Sequence, residues 1–172
     1  ETIWLGSGAS GNHRSKGLKI YNYDGGIIKT TGTGDSPIKA FHVVDFEFVN
    51  YKGGTIEGAD RHAVNTEQSE DVNFTNHGTI TAVDKSAFYC KTCPNTTFIN
   101  TGTMSGGNNA VVISHGDNTT ITNSGTITAT TDNSGLNISS SDGTVVTNSG
   151  TISGVDHGMQ SSNVDNSTIT NH

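Results

Sequence analysis

The sequence predicts an all-β protein: a right-handed parallel β-helix of about seven coils, each coil being one turn of the helix with three strands. The first observation is an asparagine that recurs at intervals of 28, 26, 24, 23, 25 and 23 residues. The second is a step of the Gly-Thr-Ile kind shortly after most of these asparagines, as at 123–127 and 148–152. The third is the return of large apolar residues at matching places in the repeats. Self-similarity at a period of about 20 to 50 residues is typical of solenoids.

The first strand of each coil ends at the recurring asparagine. An apolar residue stands two positions earlier, and the alternation indicates a half-buried strand. These inward residues are Ile20, Phe48, Phe74, Phe98, Ile121, Val146 and Ile169. Asparagine tolerates left-handed backbone geometry, and its amide can satisfy turn groups. We therefore predict a structural, non-catalytic ladder of side-chain amides. Its members are Asn22, Asn50, Asn76, Asn100, Asn123, Asn148 and Asn171.

The second and third strands supply two more inward columns. The second strand carries Ile28, Ile56, Ile80, Met104, Ile127 and Ile152. In most coils a small residue, Gly or Ala, stands two positions later. In the third strand the predicted inward residues are Phe41, Val64, Phe88, Val111, Leu136 and Met159. Stacked coils lie about 4.8 Å apart, and each fully buried large residue contributes about 1.5–3 kcal/mol. Three columns can therefore support the fold although only 30% of the residues are hydrophobic.

Length and charge bound the organisation of the chain. We predict one domain in its 172 residues, with a cap or lead-in at 1–17 and the β-helix at 18–172, which stops in the middle of a repeat and suggests a fragment of a longer protein. The net charge of −7 argues against a nucleic-acid partner. All nine Lys and Arg lie at or before Lys91. No apolar run approaches the roughly 20 residues of a membrane span.

The Asn-Ser-Gly-Thr-Ile repeats at 123–127 and 148–152 resemble those of the passenger domains of type V (classical) autotransporters. The resemblance covers roughly residues 18–171 and implies a right-handed β-helix exported across the outer membrane of a Gram-negative bacterium. It implies a location at the bacterial cell surface or in the extracellular medium. Members include adhesins, self-associating proteins, enzymes, toxins and released effectors of host receptors, some of them growth-factor-like or angiogenic.

Among these activities the sequence favours a non-enzymatic virulence factor. Its expected partner is a host cell-surface protein or glycan, which it would bind as an adhesin or as a released receptor ligand. One alternative is self-association that promotes aggregation or biofilm. Another is a polysaccharide lyase or hydrolase, although no Lys or Arg follows Lys91 and no long loops interrupt the later repeats to build a groove. We predict no cofactor.

Two sets of residues are candidate sites. Cys90 and Cys93 form a Cys-x-x-Cys pair. In an exported protein this spacing favours a disulfide, with free thiols and a redox or metal pair as alternatives. The second set is the outward face of the third strands, which mixes aromatic, amide and apolar groups and is either a partner-binding face or an ordinary solvent face. It comprises His42, Asn65, Tyr89, Val112, Asn137 and Gln160.

An acidic edge is the last recurrent feature. Carboxylates recur in the turn before the first strand, and they are Asp45, Glu70, Asp71, Asp117, Asp142 and Asp165. They are interpreted as turn-forming, solvated residues, as a stripe that faces a partner, or as a calcium site. Calcium needs about six to eight oxygen ligands, whereas most coils offer a single carboxylate here. We therefore predict no metal site.

Overall fold

The computed structural model describes residues 2–6 and 14–172, and every regular element within these ranges is a β-strand. Strands from successive coils pair in parallel and build three long sheets of seven, seven and six strands. The predicted all-β parallel β-helix of about seven coils is confirmed. We number the long sheets 1, 2 and 3 after the first, second and third strand of a coil.

The strands are numbered along the chain. Sheet 1 contains β3 (Lys19–Asn22), β7 (Glu47–Asn50), β10 (Asn73–Asn76), β13 (Thr97–Asn100), β16 (Thr120–Asn123), β19 (Val145–Asn148) and β22 (Thr168–Asn171). Sheet 2 contains β4 (Ile27–Lys29), β8 (Thr55–Gly58), β11 (Thr79–Ala82), β14 (Thr103–Gly106), β17 (Thr126–Ala129) and β20 (Thr151–Ser153). Sheet 3 contains β1 (Ile3–Gly6), β5 (Ile38–Phe41), β9 (Val64–Glu67), β12 (Phe88–Lys91), β15 (Val111–Ser114), β18 (Ser134–Ser139) and β21 (His157–Ser162). A short sheet pairs β2 (Ser15–Lys16) with β6 (Val43–Val44).

The register of the sheets places equivalent side chains directly above one another. Phe74 pairs with Phe48 on one side and with Phe98 on the other. The ring centroids of these neighbours lie 4.9 and 5.1 Å apart, and the planes are inclined by 11° and 7°. All three side chains are fully buried. Because parallel coils repeat at the interstrand distance, a column of like residues becomes a continuous core.

The recurring asparagines form a second column inside the turn between sheets 1 and 2. Each of the first six donates a hydrogen bond from Nδ2 to Oδ1 of the asparagine in the next coil, at 2.7 to 2.9 Å, and Asn171 accepts the last one. The same Nδ2 group also contacts backbone carbonyls, such as Gly102 O at 3.3 Å from Asn100. Asn50, Asn76, Asn100 and Asn123 are completely buried. The seven predicted residues are therefore joined end to end by their amides.

The glycine that follows the asparagine in each repeat is required for a steric reason. A Cβ atom added at Gly102 would lie 2.2 Å from the carbonyl oxygen of Gly78, the equivalent residue one coil earlier. The corresponding distance at Gly125 is also 2.2 Å, to Gly102 O. Real Cβ atoms do not approach a backbone oxygen so closely. The coils can therefore stack at this turn only if glycine occupies the position.

The described part of the predicted lead-in continues the coil. Ile3–Gly6 pairs in register with Ile38–Phe41 in sheet 3, and Ser15–Lys16 pairs with Val43–Val44. Sheet pairing thus begins before the boundary predicted at residue 18, because a single strand without a repeated motif leaves no periodic signal in the sequence. Residues 1 and 7–13 of the predicted lead-in lie outside the described residues.

One inward residue of sheet 3 was predicted wrongly. Ile38, and not Phe41, pairs with Val64 and is fully buried, whereas Phe41 is partly exposed. The prediction aligned Ala40-Phe41 with Ala63-Val64, because the two pairs are similar in sequence. In the structure the connection before β5 is three residues shorter than this alignment assumes, so Ile38 takes the inward position.

Candidate functional site

The outward column of sheet 3 brings together most of the predicted partner-binding face. Its register runs through Asn65, Tyr89, Val112, Asn137 and Gln160.

His42 does not belong to this column, so that part of the prediction is wrong. The residue in register with Asn65 is Lys39. His42 instead follows β5 in the turn, where its backbone is left-handed with φ of 54°. The reason is the same three-residue misalignment of β5 that misplaced Phe41.

A cleft of about 340 Å³ opens at the N-terminal end of the column. Its lining consists of Gly34, Ser36, Lys39, Phe41, Arg61, His62, Asn65, Glu67 and Tyr89. This volume lies near the lower end of the roughly 300–1,000 Å³ of small-molecule sites. Three consecutive strands, β5, β9 and β12, carry its floor. Asn65 and Tyr89 are the members of the predicted face that reach it.

Three aromatic rings, those of Phe41, His62 and Tyr89, line the cleft. The His62 ring stacks on Tyr89 with centroids 4.2 Å apart and planes inclined by 16°. Phe41 stacks on Trp4 at 5.5 Å and 7°. Lys39 Nζ lies 5.2 Å from the centroid of the Trp4 ring, within range of a cation–π contact.

Charge in the cleft is only partly compensated. Lys39 forms an ion pair with Asp35. Arg61 is exposed and has no ion-pair partner within residues 2–6 and 14–172. Glu67 Oε1 accepts a hydrogen bond from Asn65 Nδ2 at 3.1 Å. Asn65 Oδ1 is buried and has no hydrogen-bond partner in the described part of the chain.

His62 is held in its neutral form. Its pKa is lowered to about 4, mainly by burial and in part by the positive charges of Lys85 and Arg61. Its Nδ1 accepts a hydrogen bond from the backbone amide of Ser86 at 3.2 Å, which assigns the ring proton to Nε2. The imidazole therefore offers an uncharged donor and an aromatic face at neutral pH.

This pKa predicts a dependence of stability on pH. Between pH 6.5 and about 4 the unfolded chain binds a proton at residue 62 that the folded chain rejects. The free energy of unfolding should therefore fall as the pH falls through this window, by about 2–3 kcal/mol. His62→Asn keeps an acceptor for the Ser86 amide but does not titrate. Guanidinium unfolding of both proteins at pH 7 and pH 4 measures the difference, and equal losses in the two would contradict the assignment.

The two cysteines are free thiols in the structure, and both are buried. This differs from the disulfide that the sequence favours. The thiols have polar neighbours, since Cys90 Sγ lies 3.7 Å from Thr96 Oγ1 and Cys93 Sγ lies 3.4 Å from Thr66 O. Burial raises the pKa of the Cys90 thiol well above its ordinary value. The packing thus accommodates the reduced pair.

We expect both thiols of the reduced, folded protein to react slowly with Ellman's reagent at pH 8, because both are buried and burial also keeps the Cys90 thiol protonated. In guanidinium the two thiols should react at once. If the unfolded protein releases no colour until a reductant is added, the purified chain holds the disulfide instead. Rapid reaction of the folded protein would contradict the burial.

The acidic edge has a local structural role. Asp45 and Asp71 adopt left-handed backbone geometry with φ of 55° and 54°, which Asp tolerates better than most residues. Asp117 Oδ1 accepts the Asp142 amide at 3.0 Å, and Asp142 Oδ1 accepts the Asp165 amide at 2.9 Å. No group of three or more His, Cys, Asp or Glu in the described ranges is arranged to hold a metal ion.

Several cleft residues were not anticipated as a site, among them Lys39, Phe41, Arg61 and Glu67. The confinement of every Lys and Arg to the stretch ending at Lys91 was the one available signal. That asymmetry indicates where positive charge gathers but not which side chains meet.

The described residues form no helix long and apolar enough to cross a membrane. No family model, curated protein or solved structure matches the chain.

Proposed function

We propose that the chain is a binding module of an exported, autotransporter-like passenger that engages a host cell-surface protein or glycan. The observation that carries the proposal is the cleft on sheet 3, where three aromatic rings, an arginine without an ion pair and several polar groups converge. Ligand sites combine aromatic surface with placed polar groups, and this lining contains both, with the larger share polar. The repeats at 123–127 and 148–152 support display at the bacterial surface or release from it.

The chemistry of the cleft favours binding over catalysis. Glycoside hydrolysis uses two carboxylates about 5 to 9.5 Å apart, and the cleft lining offers one, Glu67. The carboxylate of Asp35 is engaged by Lys39. His62 Nδ1 already accepts the Ser86 amide, so it is not free to act as a general base. These side chains hold a ligand more readily than they transform one.

Binding to cultured human endothelial and epithelial cells tests the proposal. We expect labelled protein to bind saturably and protease treatment of the cells to reduce binding to a protein receptor. Arg61→Gln should weaken binding, because it removes the unpaired cation of the cleft. Lys52→Gln is the matched control, since it changes the net charge equally at an exposed turn away from the cleft. Absent or non-saturable binding of the unmodified chain would overturn the proposal.

Self-association is the second candidate function. The repeats at 123–127 and 148–152 support it, because they resemble those of a family that includes self-associating proteins. Sedimentation velocity over a wide range of concentration distinguishes the candidates. A monodisperse monomer throughout supports the binding module, whereas concentration-dependent growth supports self-association.

A further inference from the structure

We infer that the cleft of sheet 3 takes a carboxylate-bearing sugar at the end of a glycan chain. This inference rests on the proposed function, which it narrows to one chemical class of ligand. Three features of the cleft lead to it: the unpaired Arg61, the combination of ring faces with hydrogen-bonding groups, and the steep change of charge along the coil axis.

The charge of Arg61 selects an anion. Four of the nine Lys and Arg, namely Arg14, Lys16, Lys19 and Lys39, are paired with carboxylates. Of the five cations without an ion pair in the described ranges, Arg61 is the one in the cleft lining. A guanidinium binds a planar carboxylate through two parallel hydrogen bonds. The carboxylate of a ligand is therefore the group that complements Arg61.

The remaining lining suits the body of a sugar. The stacked pair Tyr89–His62 and the ring of Phe41 line the cleft with apolar ring surface, against which the C–H groups of a pyranose can pack. Glu67 lines the cleft as a hydrogen-bond acceptor for hydroxyl groups. Asn65 is 7% exposed, and its Oδ1 has no donor in the described part of the chain. A buried acceptor without a donor is costly, so a sugar hydroxyl that reaches this oxygen relieves the cost.

The charge asymmetry limits the length of an acidic ligand. After Lys91 the chain has no cation, and Asp117, Asp142 and Asp165 follow one another from coil to coil. Adjacent coils are about 4.8 Å apart, which is less than the screening length of about 8 Å at physiological salt, so the negative potentials of these neighbouring carboxylates add. A long polyanion lying along the coil axis would be repelled by these carboxylates. A single acidic residue at a glycan end avoids this repulsion.

Titration of the full chain by two-dimensional NMR with three probes tests the inference. The probes are 3′-sialyllactose, which carries one terminal carboxylate, lactose, which lacks it, and a heparin-derived dodecasaccharide as the long polyanion. We expect the resonances of Asn65 and Tyr89 to shift with sialyllactose and the affinity for lactose to be at least tenfold lower. Equal affinity for lactose, tighter binding of the heparin fragment, or no shift with sialyllactose would each overturn the inference.

Variants separate recognition by Arg61 from a general charge effect. Arg61→Gln should lower the affinity for sialyllactose about tenfold or more. Arg61→Lys keeps the charge but loses the paired N–H donors of the guanidinium, so its affinity should lie between those of Arg61→Gln and the unmodified chain. Lys52→Gln should bind as the unmodified chain does. Thermal unfolding of each variant shows whether the fold is preserved. Equal losses in Arg61→Gln and Lys52→Gln would exclude a specific contact with Arg61.

Cells treated with a sialidase, which removes the terminal carboxylated sugars, distinguish failure of this inference from failure of the proposed function. Loss of saturable binding after the treatment supports both the carboxylate-bearing sugar as ligand and the proposed host-cell function. If saturable binding survives the treatment and sialyllactose causes no NMR shift, the inference of a carboxylate-bearing sugar fails, but the proposed host-cell binding function stands. If sialyllactose binds but untreated cells do not, the cleft ligand stands and the proposed host-cell function fails.

Discussion

Replacement of Asn100 by Ala should lower the free energy of unfolding by about 3–5 kcal/mol. Asn100 is completely buried and accepts a hydrogen bond from Asn76 Nδ2 at 2.8 Å. It donates to Asn123 Oδ1 at 2.8 Å and to Thr126 O at 3.2 Å. The truncation leaves Asn123 Oδ1 buried without a donor and opens a small cavity beside it. The ladder has no internal replacement for the missing amide.

Guanidinium unfolding followed by circular dichroism measures this effect. Asn73→Ala is the matched control, because Asn73 is an exposed residue of the neighbouring coil, and its loss should stay within about 0.5 kcal/mol. Similar losses in Asn100→Ala and Asn73→Ala would contradict a structural ladder.

A stricter variant is Asn100→Asp, which keeps the shape of the side chain but replaces the Nδ2 donor with an oxygen. At pH 7 a carboxylate would face Asn123 Oδ1 and the carbonyl oxygen of Thr126, at 2.8 and 3.2 Å from the present Nδ2. Burial and this repulsion raise the pKa of the introduced carboxyl in the folded state. The stability deficit relative to the unmodified chain should therefore shrink as the pH falls toward about 3.9, where the neutral acid can donate. A deficit independent of pH would argue against close contact with these acceptors.

Replacement of Phe74 by Ala is expected to have a comparable effect, about 3–5 kcal/mol. Phe74 is fully buried, and its ring stacks between Phe48 at 4.9 Å and Phe98 at 5.1 Å. It also meets Phe88 of sheet 3 at 4.3 Å. The substitution therefore removes contacts to the coils on both sides and to the facing sheet. Because each coil is stabilised mainly by its neighbours, a cavity here should weaken the middle of the solenoid.

Chemical unfolding of Phe74→Ala, Phe74→Leu and Tyr23→Ala provides the measurement. Phe74→Leu keeps most of the apolar volume and should lose clearly less than Phe74→Ala. Tyr23 is 61% exposed, although its ring stacks on Tyr51 at 4.8 Å, so its replacement should cost about 1 kcal/mol or less. A loss below 1 kcal/mol for Phe74→Ala would show that the phenylalanine column is not a principal source of stability.

The success of the fold prediction has a physical reason. In a parallel β-helix each coil contacts mainly the next one, so residues that meet in space are one sequence period apart. Phe74 and Phe98, or Asn76 and Asn100, are 24 residues apart and pair directly. The first coil was assigned less well because this regularity is missing there. The segment between β4 and β5 is irregular, and the pair Ala40-Phe41 imitates a register that Ile38 occupies.

The candidate site could be predicted only in part. Asn65 and Tyr89 follow from the alternation of sheet 3 alone. Arg61 and His62 lie in the connection before β9, and Gly34 and Ser36 lie in the connection before β5. Connections vary in length from coil to coil, so periodicity does not say how their side chains meet. Their assembly around Lys39 and Glu67 depends on the path of these two segments.

The amino-acid sequence by itself determined the repeat, the three inward columns and the line of asparagines, because all of these depend on contacts at one fixed sequence separation. Only the tertiary structure decided the register of the first coil and the inclusion of Ile3–Gly6 in sheet 3. It also decided the burial of both cysteines and the gathering of Lys39, Arg61, His62 and Glu67 into one cleft. These features arise where irregular connections fold onto a regular sheet, and their geometry depends on packing across several coils.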